Sequence, residues 1–439
     1  MEFFDDNALL GNDTAVKLYG TVKDLAIIDF HCHLDEAQIA RDDGFENIGK
    51  LWLSHDHYKW RAMRLCGVDE IYITGNASWY EKFINYAAVM PKLIGNPLYY
   101  WTHFELKQLF GINIPLNAEN ADRIWNEANA VLRPLTVRDI LKRFKAEYIA
   151  TTDDPASRLE YHGKYEDTVV APTFRADRLF ALDEESIKEL GNPCTLEELK
   201  ATLKERLEFF ISKGCRIADC GFDEIPGYVC SDKEAEDIYI KRDKTRKQAF
   251  FAHILAYLCK LYREKDIVLQ LHFGTYRNVN TKMFGICGRD SGFDIERGYI
   301  DTDSLAVYLD YLNTNDSLPV VVLYPLNAYC LESVCTLSGA FGNVYIGAAW
   351  WFNDTVEGIK RYLSVTSEYS ALGIQPGMVT DSRSFSSYAR FDFFRRILAS
   401  FVAEKVDKGE YDMSSAEALM KDICYNNAKK LIIQRRNDG

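Results

Sequence analysis

Eight short apolar runs, at 25–33, 148–152, 168–174, 215–220, 267–272, 318–324, 344–350 and 377–381, punctuate this 439-residue chain. Most of them end in a polar cluster. From the third run onward, helical patterns separate them. One opens at Thr195-Leu196-Glu197-Glu198 with capping-box-like chemistry, and others span 231–264, 303–313, 328–341, 354–368, 386–406 and 416–433. Parallel strands need a crossover to return the chain, so strands alternating with amphipathic helices imply a parallel α/β sheet. Eight such units imply a closed (β/α)8 barrel of TIM type. Residues 35–145, between the first two runs, are too long for one crossover and carry helical patterns rich in Trp and Tyr, such as 80–89 and 121–132. They read as a helical insertion after strand one. The expected organisation is a catalytic barrel built from 1–34 and 146–439, with 35–145 contributing to the active site.

Hydrophobic residues make up 47% of the chain, enough for a large core and too many for disorder. The net charge of −13 repels nucleic acid and anionic membrane, so neither is an expected partner. An anionic small molecule would need local arginines to overcome that field. The eleven cysteines are odd in number and lack C-x-x-C pairs, which fits reduced thiols in a cytoplasm. The acidic start, Met1-Glu2-Phe3-Phe4-Asp5-Asp6, does not read as a signal peptide. No apolar run approaches the roughly 20 residues of a membrane span. A soluble cytoplasmic protein is expected.

In a (β/α)8 barrel the chemistry sits at the carboxyl ends of the strands. His31-Cys32-His33 closes the first run. Alternation along a strand sends residues i and i+2 to one face. Two of only eight histidines therefore leave one strand end together, spaced to hold one divalent cation. Other run ends supply Arg175, Asp219, His272, Trp350-Trp351 and Asp381, the last followed by Arg383. Each has an ordinary explanation alone: an Asp caps a helix, an Arg solvates a surface, a His satisfies a hydrogen bond. Their convergence on one rim is the signal. Strands one and eight become neighbours when a barrel closes, so His31, His33 and Asp381 make a mononuclear site with positions open to water or substrate oxygens. The insertion adds Ser54-His55-Asp56-His57-Tyr58-Lys59-Trp60-Arg61. Folded back over the rim, His57, Tyr58 and Arg61 would reach a substrate. The alternative is a partly buried helix start laced with salt bridges.

Several blocks, in order, resemble the uronate (glucuronate) isomerase family of the amidohydrolase superfamily. They are Asp29-Phe30-His31-Cys32-His33-Leu34, Asp56-His57-Tyr58-Lys59-Trp60-Arg61-Ala62-Met63-Arg64, Ile73-Thr74-Gly75, Gly95-Asn96-Pro97-Leu98-Tyr99 with Trp101-Thr102-His103, and Thr151-Thr152-Asp153-Asp154-Pro155. Pro172-Thr173-Phe174-Arg175, Leu271-His272-Phe273-Gly274 with Arg277-Asn278, Trp350-Trp351-Phe352-Asn353-Asp354, Thr380-Asp381-Ser382-Arg383-Ser384-Phe385 and Cys424-Tyr425-Asn426-Asn427-Ala428 continue the series. The resemblance implies an amidohydrolase-type barrel. It implies interconversion of D-glucuronate with D-fructuronate and of D-galacturonate with D-tagaturonate, and a homo-oligomer. It also implies one divalent cation, often zinc, at His31, His33 and Asp381, with His57, Tyr58, Arg175, Asp219, His272 and Arg383 contacting substrate or catalysing. Two positions depart from the family pattern. Cys220 stands where the family has a histidine after the strand-four aspartate, and the usual proline is missing after His33, where the chain reads Leu34-Asp35-Glu36. The cysteine is expected to alter substrate preference or metal affinity.

Aldose–ketose isomerisation opens the sugar ring and then moves a proton between C2 and C1 through a cis-enediolate. On this reading Asp381 and His31 handle ring opening. Tyr58, its pKa lowered by Arg383, Arg61 or the cation, carries the proton. Arg175 and His57 hold the C6 carboxylate, and Trp350 and Trp351 pack against the sugar. Two rivals stay open at this point: a metal-dependent hydrolase on the same barrel, and a non-catalytic uronate-binding protein suggested by Cys220.

Overall fold

The computed structural model describes residues 3–434; Met1 and Glu2 of the acidic start lie outside them. Strands β1 (Ile27–Asp29), β2 (Ala146–Ala150) and β4 (Thr168–Ala171) pair in parallel, with β3 (Gly163–Tyr165) antiparallel on the edge of β4. A second parallel set runs β5 (Thr173–Arg175), β6 (Ile217–Phe222), β7 (Val268–Phe273), β10 (Val321–Pro325) and β11 (Val344–Ile346). A small hairpin, β8 (Thr275–Tyr276) with β9 (Ile295–Glu296), stands outside both sets. The two parallel sets are one circuit. The third barrel strand is cut at Pro172, which has no N–H to give to a ladder. Its first half pairs with β2 and its second half with β6, and an isolated parallel bridge from Asp153 to Phe174 spans the cut.

The eighth expected strand, 377–381, forms no regular strand, and Gly377 (φ 73°) and Asp381 (φ 47°) are both left-handed. It closes the circuit against β1 with specific bonds: Asp381 N–H donates to His31 O (3.1 Å), and His33 N–H donates to Ser382 O (2.9 Å). Thr380 donates through both its N–H (3.0 Å) and its hydroxyl (2.6 Å) to the buried Asp29 carboxylate. The result is a (β/α)8 barrel. Strand alternation divides its core in two. Ile28, Tyr148, Ala150, Ile217, Val268, Val322 and Tyr324 pack inside the barrel. Ile149, Phe174, Ala218, Cys220, Leu269, Leu271 and Leu323 pack outward against the helices.

Two expectations are corrected. The pattern at 231–264 forms two helices, Asp232–Lys241 and Lys247–Glu264, because Arg242 turns left-handed (φ 53°) and its N–H closes back on Ile238 and Tyr239 carbonyls. Cys220 does not face the site. It lies on the outward side of β6 in the layer shared with the surrounding helices, so its direct contacts are with that packing layer. Burial pushes its thiol well above the usual range, which makes it inert.

Between β1 and β2 the chain forms a run of helices over 36–143. Their buried aromatics, among them Trp52, Phe83 and Trp101, belong to the same core layer as Phe393 of the helix Ala389–Asp407. These helices therefore cap the barrel as part of one packed body. No helix of the described residues is long and apolar enough to cross a membrane.

Candidate active site

The strand-end residues meet at the barrel mouth. β1 ends at Asp29, four residues before the end of the run, so His31 and His33 are not placed by strand alternation. They are pinned instead by the segment that carries Asp381, through the two backbone bonds described above. Their rings stand nearly perpendicular with centroids 5.3 Å apart. Both aim Nε2 at one oxygen, Asp381 Oδ1, at 3.3 Å from His31 and 3.1 Å from His33.

That spacing is a test of fit. Tetrahedral ligands with bonds of about 2.1 Å lie roughly 3.4 Å apart, close to the two nitrogen–oxygen distances here, and all three donor atoms lie within 4.8 Å of one another, so the set could hold one ion. A second buried set, His31, Asp219 and His272, has donors within the same reach. There, however, the Arg175 guanidinium lies 2.9 Å from Asp219 Oδ2 and already supplies the positive charge. The first set is therefore the one that could hold a cation, with Asp219 behind it.

Asp219 organises the floor. It is buried and faces His272 Nδ1 at 2.8 Å, Arg175 Nη1 at 2.9 Å and His31 Nδ1 at 3.7 Å. Burial alone would raise its pKa, but Arg175, His272 and His31 outweigh that and hold it ionised far below the usual range. Asp381 behaves alike: burial opposes its charge, and hydrogen bonds from His31 and His33 pull its pKa well below normal. His31 is buried too, yet Asp219 and Asp381 raise its pKa. The packed surroundings push His33 down to about 4 and lower His272. An aspartate behind a histidine that faces a cation acts on the ring by hydrogen bond or by charge. Asp219 stands in that relation to His31, and at 3.7 Å from Nδ1 the contact here is one of charge.

The helix His57–Leu65 folds over this floor as the insertion reading expects. Asp56 is its N-cap, accepting from Tyr58 N–H (3.0 Å) and Lys59 N–H (3.1 Å), and it pairs with the buried Lys59 Nζ at 2.7 Å. The cap fixes His57 and Tyr58 in the first turn, where their rings stack at 4.7 Å. Both line a narrow pocket of about 20 Å³ with Asp381, Arg383 and Arg390. A wider cleft of about 570 Å³ adjoins it, lined by Arg175, His272, Arg277, Asp290 and Trp350 among others. Trp350 packs on His272 at 4.8 Å and donates its indole N–H to Tyr324 O.

Two expectations need revision. The Tyr58 phenol is not made acidic by its arginines. Burial, then Asp381, Asp354 and Asp56, push its pKa well above normal, and Arg390 is the cation that opposes them. Arg61 lines neither cavity; its Nη1 donates to Asp294 O (2.6 Å) and its guanidinium lies 4.8 Å over Phe352. Arg175 is gripped through Nε by Asp177 (2.8 Å) and through Nη1 by Asp219, while its remaining nitrogen is free to face the cleft.

A family model described as glucuronate isomerase matches residues 1–432. The chain belongs to the glucuronate isomerase family. A uronate isomerase from Caldanaerobacter subterraneus subsp. tengcongensis is 42% identical over 98% of this chain and 99% of its own. Among solved structures, the uronate isomerase of Thermotoga maritima superposes with a TM-score of 0.95 at 34% identity, covering 99% of this chain and all (100%) of that one. The glucuronate isomerase of Caulobacter crescentus follows at 0.90 and 26%, covering 99% and 98%. The fold is thus the amidohydrolase-type barrel of these enzymes.

Several site residues escaped the sequence reading. Arg277 lay inside a family-like block but was not singled out. Asp290, Asp294 and Arg390 sit in a loop and a helix with no strand-end signal to mark them. Arg390 is buried on Trp101 at 3.8 Å and donates to Thr380 O (3.0 Å), next to Asp381.

Proposed function

We propose that this protein is a uronate isomerase that interconverts D-glucuronate with D-fructuronate, and D-galacturonate with D-tagaturonate, at the mouth of its barrel. The observation that carries the reading is the convergence of His31, His33 and Asp381 beside Tyr58, in a chain matched by the family over residues 1–432. The expected insertion, 35–145, supplies His57 and Tyr58, and the barrel of 1–34 and 146–439 supplies the rest.

His31, His33 and Asp381 hold one divalent cation, and their nitrogen and oxygen donors suit zinc. When bound, the cation supplies positive charge that offsets the carboxylate field on Tyr58 and stabilises negative charge on substrate oxygens. The chain's own groups do the rest. Arg175, through its free nitrogen, and His57 orient the C6 carboxylate. Asp381 takes the proton of the anomeric hydroxyl as the ring C–O bond breaks and returns it to the ring oxygen, with His31 as its partner. Tyr58, in its ionised form, takes the proton from C2 and returns it to C1 while the hydroxyl proton of O2 passes to O1. Arg383 stands beside Asp381 as positive charge for the developing enediolate. Asp219 holds Arg175, His272 and His31 in register, and His272 and Trp350 wall the cleft. Arg61 ties the helix His57–Leu65 to the loop beyond β7 and does not touch substrate on this reading.

The eleven cysteines are all free thiols, which supports a reducing cytoplasm, and a homo-oligomer remains part of the reading. A hydrolase would need neither the His57–Tyr58 pair nor an arginine-rich cleft. The test is turnover of glucuronate and galacturonate by metal-replete and chelated protein. Ketose formation that falls on chelation and returns with zinc supports the reading. Hydrolysis of an ester or lactone with no ketose overturns it.

A further inference from the structure

We infer that Asp290 is a positioning residue for Arg383 in the isomerase reaction, an assignment that rests on the function proposed above. Arg383 lines the narrow pocket with Tyr58 and Asp381. Its side chain is 31% exposed, and among the described residues the one carboxylate within ion-pair distance is Asp290, at 3.1 Å from Nη2. A long side chain without a fixed partner spreads over many rotamers. A carboxylate on one arm of the guanidinium fork removes most of that freedom.

Asp290 is itself held by its backbone. It sits in the left-handed region (φ 53°), between Gly288 (φ 77°) and Gly292 (φ 89°). The loop after β7 that carries it is tied to the helix His57–Leu65 at several points. Arg64 donates to Ser291 O, Arg61 donates to Asp294 O, and the Arg64 guanidinium lies 4.4 Å over Phe293. The buried Asp294 carboxylate takes the Asn278 N–H (2.7 Å) and pairs with Arg277 (3.0 Å). Gly292 packs so closely that a Cβ there would come within 2.8 Å of His57 O. The loop therefore delivers the Asp290 carboxylate to a fixed point on the wall between the narrow pocket and the wide cleft.

Exposed ion pairs contribute little to folding, so orientation is what this pair provides. Without it, the guanidinium is free to turn toward the other carboxylates lining the pocket, Asp56 and Asp381. Asp56 is already paired with Lys59, which leaves Asp381, the group that must stay available for the cation and the substrate.

The experiment is steady-state kinetics on glucuronate with metal-replete wild type, Asp290→Asn, Asp290→Glu, Arg383→Gln and the Asp290→Asn/Arg383→Gln pair, each with a melting curve. Asp290→Asn should lower kcat by about 10-fold or more, in the range seen for supporting residues around active centres. KM should stay within about threefold, since ground-state binding is untouched. Melting should be nearly unchanged, and Asp290→Glu should recover most of the lost kcat. The double variant should lose no more than Arg383→Gln alone, because the two act as one unit. Wild-type kcat in Asp290→Asn overturns the assignment. So do losses that multiply in the double variant, or a kcat loss that tracks a large drop in melting temperature with no rescue by Glu. A metal-replete wild type with no ketose product overturns the isomerase reading itself, which the wild-type arm reports separately.

Discussion

At the scale of single residues, Tyr58 combines the clearest role with the least obvious electrostatics. Its ring is held by the Asp56 cap and stacked on His57, and burial and the nearby carboxylates raise its pKa, an effect that a bound cation would offset. Tyr58→Phe should lower kcat by about 10²–10⁴-fold, the usual worth of a positioned proton-transfer group, while substrate still protects the protein thermally. Near-normal kcat in that variant would remove Tyr58 from the proton path. Asp219 is the second test. Asp219→Asn keeps the shape but removes the charge facing Arg175, His272 and His31. Cation affinity, read by competition with a chromophoric chelator, should weaken by roughly 10–100-fold; unchanged affinity contradicts its place behind His31. Most of these groups were legible in the sequence because each follows a recognisable apolar run. Asp290 and Arg390 were not, because their importance comes from contacts about 90 and 10 residues away from Arg383 and Thr380, which no local pattern encodes.

At the scale of elements, the loop beyond β7 and the helix His57–Leu65 work as a pair. Gly292 is where they touch: its φ of 89° and its 2.8 Å approach to His57 O leave no room for a side chain. Gly292→Ala should strain the contact by about 1–2 kcal/mol and raise hydrogen exchange across 277–298, with kcat falling as His57 and Asp290 shift. Wild-type exchange in that loop contradicts the close-packing argument. A different element carries a pH dependence. In the helix Pro97–Phe110, His103 shares Nδ1 with Tyr99 O (2.6 Å) and accepts the Leu116 N–H at Nε2 (3.0 Å). Burial lowers its pKa from 6.5 to about 4. The unfolded chain therefore binds the extra proton between those values. Its contribution to stability is complete above about pH 6.5 and lost as pH falls toward 4, about 3 kcal/mol in all. The difference in melting temperature between wild type and His103→Gln should shrink over that interval; a constant difference contradicts the assignment. Helices were read well where apolar spacing was regular. The split at Arg242 was missed because a left-handed residue with an ordinary side chain leaves no Gly or Pro signal.

At the scale of the whole molecule, the architecture was legible because the barrel repeats one unit, and repetition makes each weak strand signal corroborate the next. What the repeats could not convey was how the circuit closes. Pro172 breaks the third strand, and the eighth is an irregular segment joined to β1 by bonds at His31 and His33. That irregularity has a functional consequence: the bonds that close the barrel are the ones that bring His31 and His33 to Asp381. The outward position of Cys220 shows the converse. A departure from the family pattern at a strand end need not reach the chemistry, because every second residue of a strand faces the helices. On the proposed function, this closure creates a centre for proton transfer at C2 of a uronate. Incubating metal-replete protein with D-glucuronate in deuterium oxide and following the C2 proton by NMR tests it directly. The account predicts that solvent deuterium enters C2 of the recovered glucuronate as fructuronate accumulates, and that both processes stop in Tyr58→Phe. Fructuronate accumulating, or deuterium entering C2, at the wild-type rate in Tyr58→Phe would contradict it.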